Sequence, residues 1–212
     1  MTVDPLSRTG PLDAWAERFA ALPAGIRITA EPFVAMADVR LAPDLVSGYA
    51  SSGAHIHSRP GVAGAHGLGL PTTPSTWVPW GDGRAIWLGP DEWLVTSAAH
   101  DPQDLEAELR AAVGLDGGQG NGAVVDVSAQ RTTLRLRGEH VRDVLATGCA
   151  IDLHPRSFPA GSAAQTTLGL AGVVLLALDD TGTHFQLLVR SSFARYLATW
   201  LLDAASEYGR GA

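Results

Sequence analysis

The chain has 212 residues, enough for one substantial core or two small ones, and its 46% hydrophobic and 17% charged residues mark a globular protein. A net charge of −7 leaves no basic field to hold a nucleic-acid backbone. All 15 basic residues are arginine, which excludes both a Schiff-base lysine and a phosphate-loop lysine.

The first ten residues read as a loose tail, followed by Trp15, Phe19 and Leu22 at amphipathic-helix spacing before a Pro-Ala-Gly stop. That beginning lacks the apolar stretch of a secretory signal, and the single cysteine argues for a reducing compartment, so a cytoplasmic protein is expected. Residues 26–31 and 33–42 are strand candidates. From 48 to 83 the chain is rich in Gly, Ser, Pro and His and reads as a long loop.

Two β-rich runs, Ala85–Leu88 and Trp93–Thr96, then flank a Gly-Pro-Asp-Glu turn. In the next helix Asp101 is the expected cap, Pro102 suits the first position, and Leu105, Leu109 and Val113 form the buried stripe. The glycine-rich run 114–122 marks a boundary. Beyond it, "AVVDVSAQRTTLRLRG" predicts two strands, with Leu134 and Leu136 on one face and Thr133, Arg135 and Arg137 on the other. Val141, Val144 and Leu145 recur at helical spacing, and three strands follow. The last helix places Phe193, Tyr196, Leu197, Trp200 and Leu201 on one face, with Ser191 or Ser192 as cap and Gly209 as stop.

The two halves rhyme. Laying 37–56 over 132–151 matches Arg40 with Arg135, Leu41 with Leu136, Val46 with Val141, Gly53 with Gly148 and Ile56 with Ile151. Element order repeats as well. The expected fold is α+β, a duplicated β2-α-β3-α unit with antiparallel-rich sheets and helices packed on them. The expected division is a tail and helix over 1–24, a first repeat over 25–114 and a second over 123–209, in one compact domain.

Polar residues offer several chemistries, each beside a plainer reading. Arg135 and Arg137 before Gly138 could cradle an anion at a helix start, or be solvated, paired with Glu139 and Asp143, or placed in an interface. Cys149, between Gly148 and apolar neighbours, reads as a small buried side chain rather than a nucleophile. His55, His57 and His66 sit in the glycine-rich loop without a carboxylate or thiol beside them, so zinc is not expected there. "GAHGLG" lacks the strand, helix and acidic residue of a dinucleotide site. Trp77, Trp80, Trp87 and Trp93 fall close together and suit a core or interface better than a ligand platform. No catalytic residue and no metal ligand is assigned.

Three segments carry a family resemblance. Residues 124–153 resemble the repeating unit of the aminomethyltransferase folate-binding fold, with Asp126, Ser128, Gly138, Leu145 and Asp152 in its characteristic places. With 87–97 and 187–204 the resemblance narrows to the gamma-subunit family of heterotetrameric sarcosine oxidase. It implies a non-catalytic structural subunit of a complex that demethylates sarcosine to glycine, forms peroxide and passes one carbon to tetrahydrofolate. Alpha, beta and delta subunits are the implied partners, and FAD, FMN, NAD, zinc and tetrahydrofolate are implied for the complex, none for this chain alone. Ala129 stands where aminomethyltransferases commonly carry histidine, so no folate residue is transferred. The alternative is a free-standing folate-binding transferase or a folate-sensing module.

Overall fold

Alternating apolar residues dictate ten strands, and where both alternating sets are apolar the strand must be covered on two sides. The computed structural model describes residues 8–41, 67–116 and 121–209. A short helix, α1 (Ala16–Ala20), precedes β1 (Arg27–Glu31) and β2 (Ala35–Leu41). Then come β3 (Trp77–Trp80), β4 (Gly83–Gly89), β5 (Glu92–Ser97) and α2 (Pro102–Ala112). The second half runs β6 (Gly122–Asp126), β7 (Arg131–Arg137), α3 (Val141–Ala146), β8 (Ala163–Leu168), β9 (Ala171–Ala177), β10 (His184–Arg190) and α4 (Ala194–Ala205).

Among the described residues ten strands make two five-stranded antiparallel sheets. One has the order β1-β7-β10-β9-β8 and the other, read from its opposite edge, β6-β2-β5-β4-β3. The orders superimpose position by position, with one exchange: β1 of the first half lies on β7 of the second, and β6 lies on β2 of the first. The duplicated β2-α-β3-α, α+β fold expected from the sequence is thus observed, with the first strands exchanged. The segment between β2 and β3, where the first repeat's inner helix would fall, lies outside the described residues.

The strands' two apolar sets build three core clusters. Leu134, Leu136, Leu175, Leu187 and Val189 of the first sheet pack against α1, α3 and α4. Ala37, Val39, Trp93 and Val95 of the second sheet pack against Leu105, Leu109 and Val113, the expected stripe of α2. Between the sheets lie Met36, Ile86 and Leu94 from one and Val174, Leu176 and Leu188 from the other. The layers therefore run helices, sheet, sheet, helix. Each fully buried leucine contributes about 1.5–3 kcal/mol.

Backbone bonds stitch one side of the sandwich, where Trp77 N donates to Gly161 O at 2.8 Å and Ala163 N to Ser75 O at 2.8 Å. There the structure corrects the loop reading of 48–83, because 77–80 form β3. Trp77, Val78 and Trp80 favour a strand, and Pro79 is tolerated because β3 is an edge. The last helix is corrected too. Ser191 is not a cap: its hydroxyl donates to Ala129 O at 3.0 Å, and no side chain caps the helix start. Phe193 and Tyr196 stay 43% and 37% exposed, while Ala194, Ala198 and Ala205 join Leu197 and Leu201 against the sheet. Small residues bring the helix axis close, which turns the aromatic pair outward. The cap expected from the Asp101 side chain is likewise not formed; its backbone carbonyl instead accepts from Asp104 and Leu105 N–H.

Gly138 closes β7 at φ +131°, and a Cβ there would strike the carbonyl oxygen of Gly25. Gly138→Ala is expected to lower stability by about 2 kcal/mol or more. Gly172→Ala, whose added methyl would meet nothing within 4 Å, should stay within about 0.5 kcal/mol of the parent. Urea midpoints measured on both variants would refute the strain argument if they coincide.

Candidate functional site

The inner faces of the sheets carry arginines at equivalent positions, and the sequence rhyme of Arg40 with Arg135 has a structural counterpart. Arg40 on β2 lies opposite Glu92 on β5, and Arg135 on β7 lies opposite Gln186 on β10. In the first half, Arg40 Nη2 approaches Glu92 Oε2 at 2.8 Å and Arg40 Nε lies 3.7 Å from Asp38 Oδ1. Arg131, from the facing sheet, is also drawn to both carboxylates. Burial and then the neighbouring Glu92 raise the Asp38 pKa, against the pull of Arg40 and Arg131. Burial lowers that of Arg131, as does Arg190 beside it. Two acids here face Arg40 and Arg131, and Arg190 stands directly across the strand pair from Arg131.

In the second half the balance changes. Thr133 stands two residues before Arg135, where Asp38 stands before Arg40, and Gln186 replaces Glu92. Glu31, from the exchanged strand β1, accepts from Arg135 Nε at 2.5 Å and from Gln186 Nε2 at 2.9 Å. Arg137 Nε donates to His184 Nε2 at 3.0 Å, and Arg135 Nη1 lies 3.5 Å from the same nitrogen. An accepting Nε2 requires a neutral ring. Burial, then Arg137 and Arg135, push the His184 pKa down, while Asp179 pulls the other way. Asp179 has both oxygens occupied in its own hairpin, by three backbone N–H groups and by the hydroxyls of Thr181 and Thr183. From the facing sheet, Arg84 lays its guanidinium over Trp77, 4.9 Å from the ring centre.

Arg135 and Arg137, candidates for an anion cradle with Gly138, are thus brought together, but not around the helix start. The Gly138 N–H is taken by Thr183 O at 2.9 Å, and Glu139 and Asp143 pair locally with His140 and Arg142. Cys149 N bonds to Leu145 O at 3.0 Å, and its side chain packs on the helix-side core. The tryptophans bind backbone: Trp77 Nε1 donates to Ala177 O at 2.9 Å, Trp80 Nε1 to Leu68 O at 3.0 Å and Trp93 Nε1 to Pro71 O at 2.7 Å. Trp87 lies opposite Trp93 on β4 and β5. His55, His57 and His66 lie outside the described residues.

The motif residues are structural clamps. Ser128 Oγ donates to Asp126 Oδ1 at 2.6 Å and accepts from Met36 N at 2.9 Å, which locks the turn between β6 and β7 onto β2. Asp152 accepts from His154 N and Ser157 Oγ, and Leu145 is fully buried. One cluster forms where the turn after β5 brings neighbouring residues onto the start of α2, a local contact that no spacing motif marks. Ser97 Oγ lies 2.8 Å from His100 Nδ1, and His100 Nε2 lies 3.0 Å from Glu108 Oε2. Although this has the order of a nucleophile, base and acid, Ser97 is 0% exposed. Its oxygen donates to Asp82 at 2.6 Å and accepts from Ala99 and His100 N–H. The Ser97 bond also lowers the Asp82 pKa. This is a locked turn.

Two exchanged halves with clamped polar turns place the chain among proteins with the duplicated folate-binding-domain fold. It aligns with glycine cleavage system aminomethyltransferase T from Bartonella henselae at a TM-score of 0.55 and 14% identity, over 88% of this chain and 48% of that one, a likeness of fold alone. More narrowly, residues 51–207 match the sarcosine oxidase, gamma subunit family, and the chain belongs to it. It is 39% identical over 148 residues to sarcosine oxidase subunit gamma of Corynebacterium sp. (strain P-1), covering 69% of each. The Arthrobacter sp. subunit gamma is 37% identical over 148 residues, again 69% of each. A chain in the structure of heterotetrameric sarcosine oxidase from Corynebacterium sp. U-96 in complex with pyrrole 2-carboxylate superimposes at a TM-score of 0.76 and 29% identity, over 97% of this chain and 98% of that one.

His184 supplies a pH test. Its folded pKa lies below the ordinary 6.5, so as pH falls the unfolded chain takes up the proton first and folding loses stability below 6.5. The loss is complete only below the depressed folded value; above 6.5 the contribution is fully present. His184→Gln should flatten this slope in urea titrations at a series of pH values. Equal slopes for parent and variant would remove the case for a suppressed imidazole.

Proposed function

We propose that this chain is the structural, non-catalytic gamma subunit of a heterotetrameric sarcosine oxidase, holding the larger chains in register while they carry out the chemistry. The observation that supports this most is the superposition over 97% of this chain and 98% of a chain of the Corynebacterium heterotetramer, beside the match of residues 51–207 to the gamma-subunit family. The aminomethyltransferase, by contrast, is only 48% covered.

In this reading the partners are alpha, beta and delta subunits, which oxidise sarcosine to glycine, form peroxide and pass the one-carbon unit to tetrahydrofolate. FAD, FMN, NAD, zinc and tetrahydrofolate belong to those chains. The polar residues here are spent on folding: Asp126 and Ser128, which match the family's folate-fold motif, bond to each other and to Met36. Among the described residues no group of three or more His, Cys, Asp or Glu is placed to hold a metal. None of the described helices is long and apolar enough to cross a membrane. The single cysteine favours a reducing compartment, the cytoplasm in this reading. The repeats at 25–114 and 123–209, after an N-terminal segment 1–24, act as one compact domain. Docking draws on apolar residues the fold leaves outside, Leu170 at 82% exposure beside Tyr196 and Phe33 at 54%. A specific interface would bury upwards of about 1,000 Å².

Co-expression with alpha, beta and delta chains should give a complex that retains this subunit through gel filtration, whereas the chain alone should self-associate. A stable monomer that never co-purifies would defeat the assignment. Within the complex, Ser97→Ala should leave sarcosine turnover within about twofold of the parent, because the serine is enclosed; a loss of about 10³-fold or more would make it a nucleophile.

A further inference from the structure

The charge imbalance at the second-half end of the sheet sandwich is the feature that neither the fold nor the subunit assignment uses. We propose that Arg84, Arg135 and Arg137 form a binding site for an oxyanion, a carboxylate or phosphate group.

The first half shows what a self-sufficient version of this arrangement contains. There Arg40 faces Glu92 across the strand pair, Asp38 stands on the same face, and Arg131, paired across its own sheet with Arg190, feels both acids from the other sheet. At the equivalent positions of the second half stand neutral residues, Thr133 and Gln186, while the arginine is common to both. Glu31 restores a single negative charge, already shared between Arg135 and Gln186. Arg84 adds a positive charge from the facing sheet, where it feels the charges of Arg135 and Glu31, and Arg137 adds another. Three guanidinium groups therefore meet one carboxylate in a protein whose net charge is −7. Neighbouring positive charges repel, and a bound oxyanion is the ordinary way to relieve that.

The geometry is set before any ligand arrives. Trp77 supports the flat face of Arg84, burial raises the cost of leaving that cation without a counter-charge, and Arg84 Nε has no hydrogen-bond partner among the described residues. The hydroxyl of Thr133, 1% exposed and on the same strand face as Arg135, is likewise unpartnered among them. His184 is the acceptor that holds Arg137 in place, so it anchors the guanidinium without adding charge. Arg137 is solvent-exposed, and the Arg135 side chain keeps 20% of its surface, so the site opens outward. Planar, rigid guanidinium groups suit oxygen pairs better than a single halide.

The oxygen pair can come from a free anion or from an acidic side chain of a partner subunit, and one experiment with two readouts separates these sources. The co-expressed complex is titrated with inorganic phosphate against chloride at matched ionic strength while its melting temperature is followed, and retention of this subunit is measured on dilution. Both are repeated for Arg84→Gln and for Arg137→Gln, the latter at the exposed rim where folding is not at stake. A saturable phosphate-specific rise in the parent, with half-maximal concentration raised at least about tenfold in the variants, assigns a free anion. No phosphate effect, but subunit loss at least about tenfold faster in the variants, assigns a partner carboxylate. Variants that match the parent in both readouts overturn the site, as does a phosphate effect they leave unchanged. Should the parent chain not assemble, the subunit reading fails instead, and phosphate titration of the chain alone still decides the site.

Discussion

Each half of this molecule lacks one strand of its own sheet, and the other half supplies it. The five residues of β1 pair with β7, more than a hundred positions away, and β6 pairs with β2 across a similar span. Neither half can close its hydrogen-bond ladder alone, so neither is a folding unit. The exchange also forces the chain to cross between sheets twice, through Pro32-Phe33 and through the turn at 127–130. The first crossing carries strain, with Phe33 at φ +61°, and the second is tied down, where Val127 N and Ser128 Oγ bond to Met36 at the start of β2. Sequence separations of this size delay closure, because loop entropy must be overcome before the contacts reward it. Such a chain is exposed to misassembly while it waits, which is one physical reason for a subunit of this kind to mature beside its partners.

The same constraint explains why polar residues gather into bonded clusters at the turns. A sandwich with crossovers has many backbone groups at corners where the ladder ends, and each needs a partner. Ser97, Ser128, Asp82, Asp126, Asp152 and Asp179 each bond backbone amides at such corners, and three indoles cap carbonyls from the loops and from the opposite sheet. The Ser97, His100 and Glu108 chain is the sharpest case. Hydrogen-bond geometry alone would pass it, and enclosure of the serine oxygen rejects it.

Much of the fold could be read directly, for a reason visible in particular elements. In β7, Leu134 and Leu136 alternate with Thr133, Arg135 and Arg137, and a period of two leaves little choice of face. The stripe of α2 is similarly unambiguous. The last helix misleads because its large residues and its alanines fall on adjacent faces, and packing against a flat sheet prefers the small ones. β3 is obscured by the turn-forming residues around it, since Pro and Gly report local propensity while edge pairing is decided by β4. The charge cluster was legible only in part. Arg135 and Arg137 stand together in the chain, but Glu31, Arg84 and His184 come from three other strands, and no local pattern links them.

Duplication lends the last argument its force. When a module is copied and fused, equivalent positions begin with equivalent partners, so a difference between copies reports what each came to need. At the arginine position the residue persists in both, which fits a side chain that fills the seam between sheets as well as carrying charge. Its partners differ: two carboxylates in one copy, an amide and a hydroxyl in the other. An arginine in the seam without those acids costs stability unless something else neutralises the charge, because desolvation penalises an unpaired cation. Glu31 answers part of that need, and it does so from the exchanged strand, so the pairing of the halves and their electrostatic balance are one problem. The strand exchange thus sets where the charge surplus lies: at the open rim beside β1, where another molecule's oxygens can reach it.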